Sequence, residues 1–390
     1  MVPTLKEVIA RCESLFEDLH FNSVKQWKAA APGRKAIGFM PVYVPREIVH
    51  AAGMLPVGIF GGGDQMEVIQ GDAYYQSYIC RIPRSTLELG LTGRLDCLDG
   101  LLFPSLCDVI RNLSGMWQVL FKDKYVRYVD VPHNYLDQVG GEFYIHEMQS
   151  LRDDLGRISG KEITDVALNA SIAVYNENRR AVQNLYAYRA QKPWQSPTSE
   201  VYLLIRAGML LPPEEHTQLI RDYLAAVDQE DRPQRDKARV VITGSFCEQP
   251  PLALIKSIEM AGCYVVDDDF GLVIRWLLDE VPADGKPLEE LSKAYLHRSA
   301  QQASKYDEKK EDKGKYLLRQ IKQGGAEGVI FAAASFCDPA LLERPMLQDI
   351  LTKQKIPYTS FKFAENTGQM APIREQAGTF ADSIKLWSDA

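Results

Sequence analysis

The 390-residue chain has no Cys-x-x-Cys pair, no G-x-x-x-x-G-K-[S/T] loop, no G-x-G-x-x-G run and no G-x-S-x-G elbow. These absences remove local zinc ribbons and ferredoxin-type cluster runs, a nucleotide-phosphate loop on this chain, and the α/β-hydrolase nucleophile. Positive charge is also scarce, with 45 Lys and Arg against 52 Asp and Glu. A net charge of −7 argues against a nucleic-acid partner, because phosphate-backbone binding needs clustered cations. No run approaches the about 18 apolar residues that cross a bilayer. The opening "MVPTLKEVIARCESLFEDL" spaces acids through its apolar positions and does not read as a secretory signal. A cytoplasmic protein is expected, with its seven cysteines reduced and no membrane contact. The dense charge run "KYDEKKEDKGK", from Lys305 to Lys315, is mixed in sign and reads as a solvated helix end or loop.

What is present is alternation. Between residues 35 and 143, short apolar runs ("KAIGFMPVYVP", "LPVGIFGGG", "LDGLLFP", "KYVRYVDVP") alternate with helical spacing, which predicts an α/β domain with a mostly parallel sheet. Residues 144–235 carry long helical periodicity and few β-rich runs, predicting a helical domain that ends in the linker "EDRPQRDKA". From 236 to 390 the alternation resumes in "RVVITGSF", "CYVVDDD", "GVIFAAASF" and "PYTSFKF". Residues 1–34 read as an N-terminal helical segment. The expected architecture is two related open α/β domains with a helical domain between them.

Three units repeat one pattern: an apolar strand, then Ser, Leu or Phe, Cys, an acid, and an amphipathic helix. They are "FPSLCDVIR" with Cys107, "GSFCEQPPLALIKSIEMAG" with Cys247, and "SFCDPALLERPML" with Cys337. In open parallel sheets ligands bind beyond the carboxyl ends of strands, where helices begin. A cysteine there sees free N–H groups and a positive dipole end, which favour the thiolate that binds metal or attacks. Simple burial as a small apolar residue competes with that reading. A metal site would gather ligands from distant segments, and tetrahedral zinc and a 4Fe-4S cluster are both open on spacing alone.

Other signals are weaker. "GIFGGGD" reads as a tight turn. His133, in "VDVPHN", is either a proton donor or an ordinary loop histidine. Asp267 to Asp269, in "VVDDDF", are either acid–base candidates, with Asp268 the central one, or a solvated or helix-capping cluster. Cys12, Cys97 and Cys263 read as structural.

Over nearly its whole length the chain resembles the 2-hydroxyacyl-CoA dehydratase and benzoyl-CoA reductase family, most closely the smaller cluster-bearing subunit of the reductase branch. The resemblance rests on "YNENRRAVQNLY", "PWQSPTSEVYLLIRAGMLLP", "GSFCEQPPLALIKSIEMAGCYVVDDDF", "SFCDPALLERPML" and "YTSFKFAENTGQMAPIREQAGTFADSIKLW". It implies an oxygen-sensitive reductase that converts the aromatic ring of a benzoyl-type CoA thioester to a cyclic diene. It also implies a 4Fe-4S cluster held by Cys80 (in "YYQSYICRIPRS"), Cys107 and Cys337. A larger homologous cluster-bearing subunit and ATP-hydrolysing iron–sulfur subunits are the implied partners. The internal repeat nominates Cys247 where the resemblance nominates Cys80, which leaves Cys247 as a fourth ligand or as a neighbour that tunes the site. Dehydration of a 2-hydroxyacyl-CoA, a purely electron-relaying subunit and a zinc-structured binding protein are the alternatives.

Overall fold

The computed structural model describes residues 3–300, 314–364 and 370–387. The charge run from Lys305 falls outside them as far as residue 313. Among the described residues eight strands form two sheets. The first holds β1 (Ala36–Phe39), β2 (Leu55–Gly58), β3 (Gly100–Pro104) and β4 (Tyr125–Val129), in the order β2-β1-β3-β4. The second holds β5 (Ala238–Thr243), β6 (Cys263–Asp268), β7 (Gly328–Ala334) and β8 (Tyr358–Phe363), in the order β6-β5-β7-β8. Every pairing is parallel, so each sheet is an α/β sheet of the kind the alternation predicts. The two sheets share one strand order, and the order reverses at the same step in each.

Strand composition follows position. The inner strands β3 and β7 are buried at every residue, and their sequences are unbroken apolar runs because helices cover both faces. The outer strands β4 and β8 are only partly buried and read as mixed. At the far edge, Gly58 of β2 donates its N–H to the Met209 carbonyl (2.8 Å), so the helical segment covers that edge.

Between the sheets in sequence lie the helices Glu142–Ser159, Asp165–Gln191, Thr198–Ala207 and Pro213–Val227. The second begins at Thr164, whose hydroxyl accepts the Ala167 N–H (3.2 Å), and runs about 40 Å at 1.5 Å per residue. Its buried face carries Arg179 and Arg189, each paired to a carboxylate of a different sheet region. Arg179 pairs with Glu47, beside β1, and Arg189 with Asp268 at the end of β6 (2.5 Å). One contiguous core joins residues of both sheets and of these helices.

The acids of "VVDDDF" are not solvated. Asp267, Asp268 and Asp269 are all buried at the end of β6. Asp267 pairs with Arg275 (2.8 Å), and Asp268 takes Arg189 and the Tyr186 hydroxyl (3.0 Å). Asp269 accepts the backbone N–H groups of Gly244 and Ser245 (2.6 and 3.0 Å). The cations that make this burial tolerable come from elsewhere in the chain, so the local sequence misreads the cluster as surface.

Candidate functional site

The strand order reverses between β1 and β3 in the first sheet and between β5 and β7 in the second, and crevices open at the carboxyl ends of such pairs. The loops leaving these strands meet around one cavity of about 360 Å³. Cys80, Cys107, Cys247 and Cys337 all line it, with Glu248 and His133. The remaining walls are mostly apolar: Ile82, Leu106, Val109, Ile110, Phe336 and Leu342. The thiols are free, and Cys80, Cys247 and Cys337 are buried.

Three of the four occupy the same local position. Cys80 is the N-cap of the helix Arg81–Leu91, Cys107 that of Asp108–Leu120, and Cys337 that of Asp338–Lys353. None closes a full side-chain capping hydrogen bond and each lines the cavity, although the Val109 and Ile110 N–H groups still face the Cys107 sulfur. Cys247 differs. Its helix, Leu252–Met260, starts only after Pro250 and Pro251, so Cys247 stands in a loop and lacks the N-terminal field that the repeated pattern suggested.

The loops are tied firmly. Glu88, buried on the Cys80 helix, accepts the N–H groups of Ile69 and Gly71 (3.0 and 2.8 Å). A Cβ at Gly71 would stand 2.2 Å from the Arg84 carbonyl, so only glycine allows the loop this close to the helix. Asp269 holds the loop that leads to Cys247, and the Ser245 hydroxyl donates to the Ala332 carbonyl of β7 (2.5 Å). Phe336 sits at φ +66°, a left-handed conformation that is costly for a bulky residue, immediately before Cys337.

Electrostatics correct one expectation. Burial raises the Cys80 thiol above its ordinary range, and the Glu248 carboxylate and the neighbouring cysteines add to the effect. Burial also raises Cys107, although the N–H groups of Ile110 and Val109 oppose it. Burial and contact with Cys337 raise Cys247 well above its ordinary range. At Cys80 and Cys107 desolvation thus outweighs the helix N-terminal field, and a bound cation would draw off their protons.

Two further groups were not legible from the pattern. Glu248 is buried, and burial pushes its carboxyl up to about 7 against the opposing pull of the Ile82 and Arg81 N–H groups. The Tyr75 hydroxyl is buried with no hydrogen-bond partner among the described residues, close enough to Cys80 and Cys107 to feel their charge. Glu248 left a faint trace as the acid that follows the cysteine in all three repeats. Tyr75 left none.

His133 lies in the loop beyond β4 and reaches the cavity wall. Asp268 does not line it: Arg189, Tyr186 and the N–H of Phe270 (2.8 Å) engage its carboxylate. Cys12 and Cys263 are buried elsewhere, and burial pushes both up to about 12. Cys97 also lies away from the cavity. Among the described residues no three His, Cys, Asp or Glu side chains are grouped to hold a single metal ion. Mononuclear tetrahedral zinc, whose thiolates crowd one centre at about 2.3 Å, does not suit this spacing. The arrangement instead offers several sulfur donors around a roomy, apolar chamber with an orphaned hydroxyl beside it.

Comparison with known proteins adds the following. Residues 41–384 match the family model described as 2-hydroxyglutaryl-CoA dehydratase, D-component. The chain is 65% identical over 98% of its length, and 99% of the relative's, to a benzoyl-CoA reductase subunit of Thauera aromatica. It is 28% identical to the (R)-phenyllactyl-CoA dehydratase beta subunit of Clostridium sporogenes, over 84% of this chain and 85% of that one. It is 29% identical to the (R)-2-hydroxyglutaryl-CoA dehydratase beta subunit of Acidaminococcus fermentans, over 92% and 94%.

Proposed function

This chain belongs to the 2-hydroxyglutaryl-CoA dehydratase D-component family, and from that premise we propose that it is a subunit of a benzoyl-CoA-type reductase, carrying a 4Fe-4S cluster on Cys80, Cys107 and Cys337. The observation that carries the reductase over the dehydratase reading is 65% identity across 98% of the chain, against 28% and 29% for the two dehydratase subunits. The cluster assignment draws on the three N-cap thiols that open on one cavity. In a cluster each iron brings its own thiolate, so ligands stand further apart than around a single ion. When bound, such a cluster accepts and passes single electrons at a potential set by its ligands, hydrogen bonds, charge and burial.

The chain's own residues supply the rest. Cys80, Cys107 and Cys337 hold the group, and because burial raises Cys80 and Cys107, loading releases protons. Ile82, Leu106, Val109, Ile110 and Leu342 exclude water. Cys247, raised by burial and in hydrogen-bond contact with Cys337, keeps its S–H and donates to that sulfur, which is the neighbour role rather than that of a fourth ligand. His133 stands on the cavity wall as the candidate proton donor. The partners in this reading are a larger homologous cluster-bearing subunit and ATP-hydrolysing iron–sulfur subunits, with benzoyl-CoA or a substituted analogue as substrate, in the cytoplasm. Among the described residues no helix is long and apolar enough to cross a membrane.

The test is anaerobic iron and sulfide analysis with EPR on the assembled complex, for wild type and for Cys80→Ser, Cys107→Ser, Cys337→Ser and Cys247→Ser. The first three lose this subunit's cluster and the fourth keeps it. Zinc or no metal in the wild type overturns the reading. Dehydration of a 2-hydroxyacyl-CoA without ring reduction moves the chain to the dehydratase branch.

A further inference from the structure

We propose that Glu248 is a positioning residue for Cys80: a carboxylate from the second sheet that caps the first-sheet helix Cys80 begins, holding that thiol in place and denying its sulfur the helix N–H groups. The inference rests on the cluster reading above.

A helix leaves its first N–H groups without partners, and Ser, Thr, Asp or Asn at the N-cap ordinarily takes one. Here the N-cap is Cys80, and its side chain makes no capping bond. Glu248 Oε2 instead accepts the Ile82 N–H (3.0 Å) from 166 residues away, and the Arg81 N–H points at the same carboxylate. Glu248 is 3% exposed, so this is no solvated surface cap. Burying a carboxylate is costly, and a residue at the N-cap itself would have avoided it, unless that residue's side chain was needed elsewhere. At Cys80 the sulfur is turned to the cavity, and the helix N–H groups are left to another acceptor.

The neighbouring helix shows the alternative. At Cys107 the N–H groups of Val109 and Ile110 face the residue's own sulfur, and no carboxylate is brought in. Hydrogen bonds to a cluster's sulfurs stabilise its reduced state, whereas a nearby negative charge opposes reduction. Glu248 therefore acts twice on the Cys80 side, by occupying the donors and, in its ionised form, by placing negative charge at the cavity wall. Both effects hold the potential low. The same contact fastens the loop after β5 to the first sheet across the cavity.

EPR-monitored redox titration and iron analysis of the assembled complex test this, with Glu248→Gln, Glu248→Ala and, as a half-buried carboxylate on another helix, Glu259→Gln. Glu248→Gln keeps an acceptor oxygen and removes the charge, so iron content holds and the potential of this subunit's cluster moves positive. Glu248→Ala also frees the N–H groups and the Cys80 arm, so a three-iron EPR signal grows in. Amide hydrogen exchange at Ile82 accelerates in Glu248→Ala and not in Glu248→Gln. Glu259→Gln lowers thermal stability without moving the potential. An unchanged potential in Glu248→Gln overturns the tuning role. Full iron content with unchanged Ile82 exchange in Glu248→Ala overturns the positioning role. Wild-type complex without a cluster instead overturns the function proposed above, a result read before any variant is made.

Discussion

The two sheets share strand order, yet they supply the cavity differently. At the third strand they agree: β3 and β7 both lead through a Ser, a large apolar residue and a cysteine into a helix, so Cys107 and Cys337 are equivalent. At the first strand they diverge, because β1 leads to Pro41 while β5 leads to Cys247 and Glu248. At the second they diverge again: β2 leads by a long tied loop to Cys80, whereas β6 ends in a buried acid cluster. The shared framework yields one matched pair of thiols, and the unshared loops yield everything that makes the site asymmetric.

That comparison can be tested where it predicts most. Cys107→Ser and Cys337→Ser should lose the cluster to the same extent, as iron and sulfide analysis will read. Retention in one alone would break the equivalence. Next in size, Arg189→Met strands Asp268 in the interior and should cost about 3–5 kcal/mol in denaturant unfolding. A loss near zero would mean that the acid cluster of the second half is not held as described.

A third test uses pH. Burial pushes the Asp269 carboxyl from 3.8 up to about 7, so the folded chain holds this proton more tightly than the unfolded chain. The stability it contributes is complete below about pH 4 and is lost as pH rises to about 7, by roughly 4 kcal/mol for a shift of this size. Asp269→Asn should flatten that part of the stability curve. The corresponding position of the first half is Ile59, just beyond β2, which does not titrate. An unaltered slope in the variant would place the titration elsewhere.

The smallest effect concerns the residues before the matched cysteines. Phe336 has φ +66°, and Leu106 is not among the positive-φ residues. Phe336→Gly should raise stability by up to about 1 kcal/mol through relieved strain. Leu106→Gly should lower it by about 2–5 kcal/mol through lost burial. Equal signs would remove this distinction between the two halves.

Much of the fold was legible because it is local. The buried runs of β3 and β7, the helical periodicity after Glu142 and the Gly turn at "GIFGGGD" each declare themselves within a dozen residues. Cys107 and Cys337 could be paired by their context for the same reason. What escaped depends on distant partners. Asp267 to Asp269 look like surface until Arg189 and Arg275 are placed beside them, and Glu248 looks unremarkable until Ile82 lies against it. Cys80 has no repeated context and entered only through resemblance. Cys247 matched the pattern in letters, but its two prolines delay the helix and change its surroundings.

The long helix Asp165–Gln191 sets a gauge. Arg179 grips the first half through Glu47 and Arg189 the second through Asp268, about 15 Å apart along one rod. The width of the gap between the halves is therefore written as a number of residues. A single inserted or deleted residue would turn one grip by about 100° and slide it by 1.5 Å, so the length of this stretch is held as tightly as its buried positions Ala181, Val182, Leu185 and Tyr186.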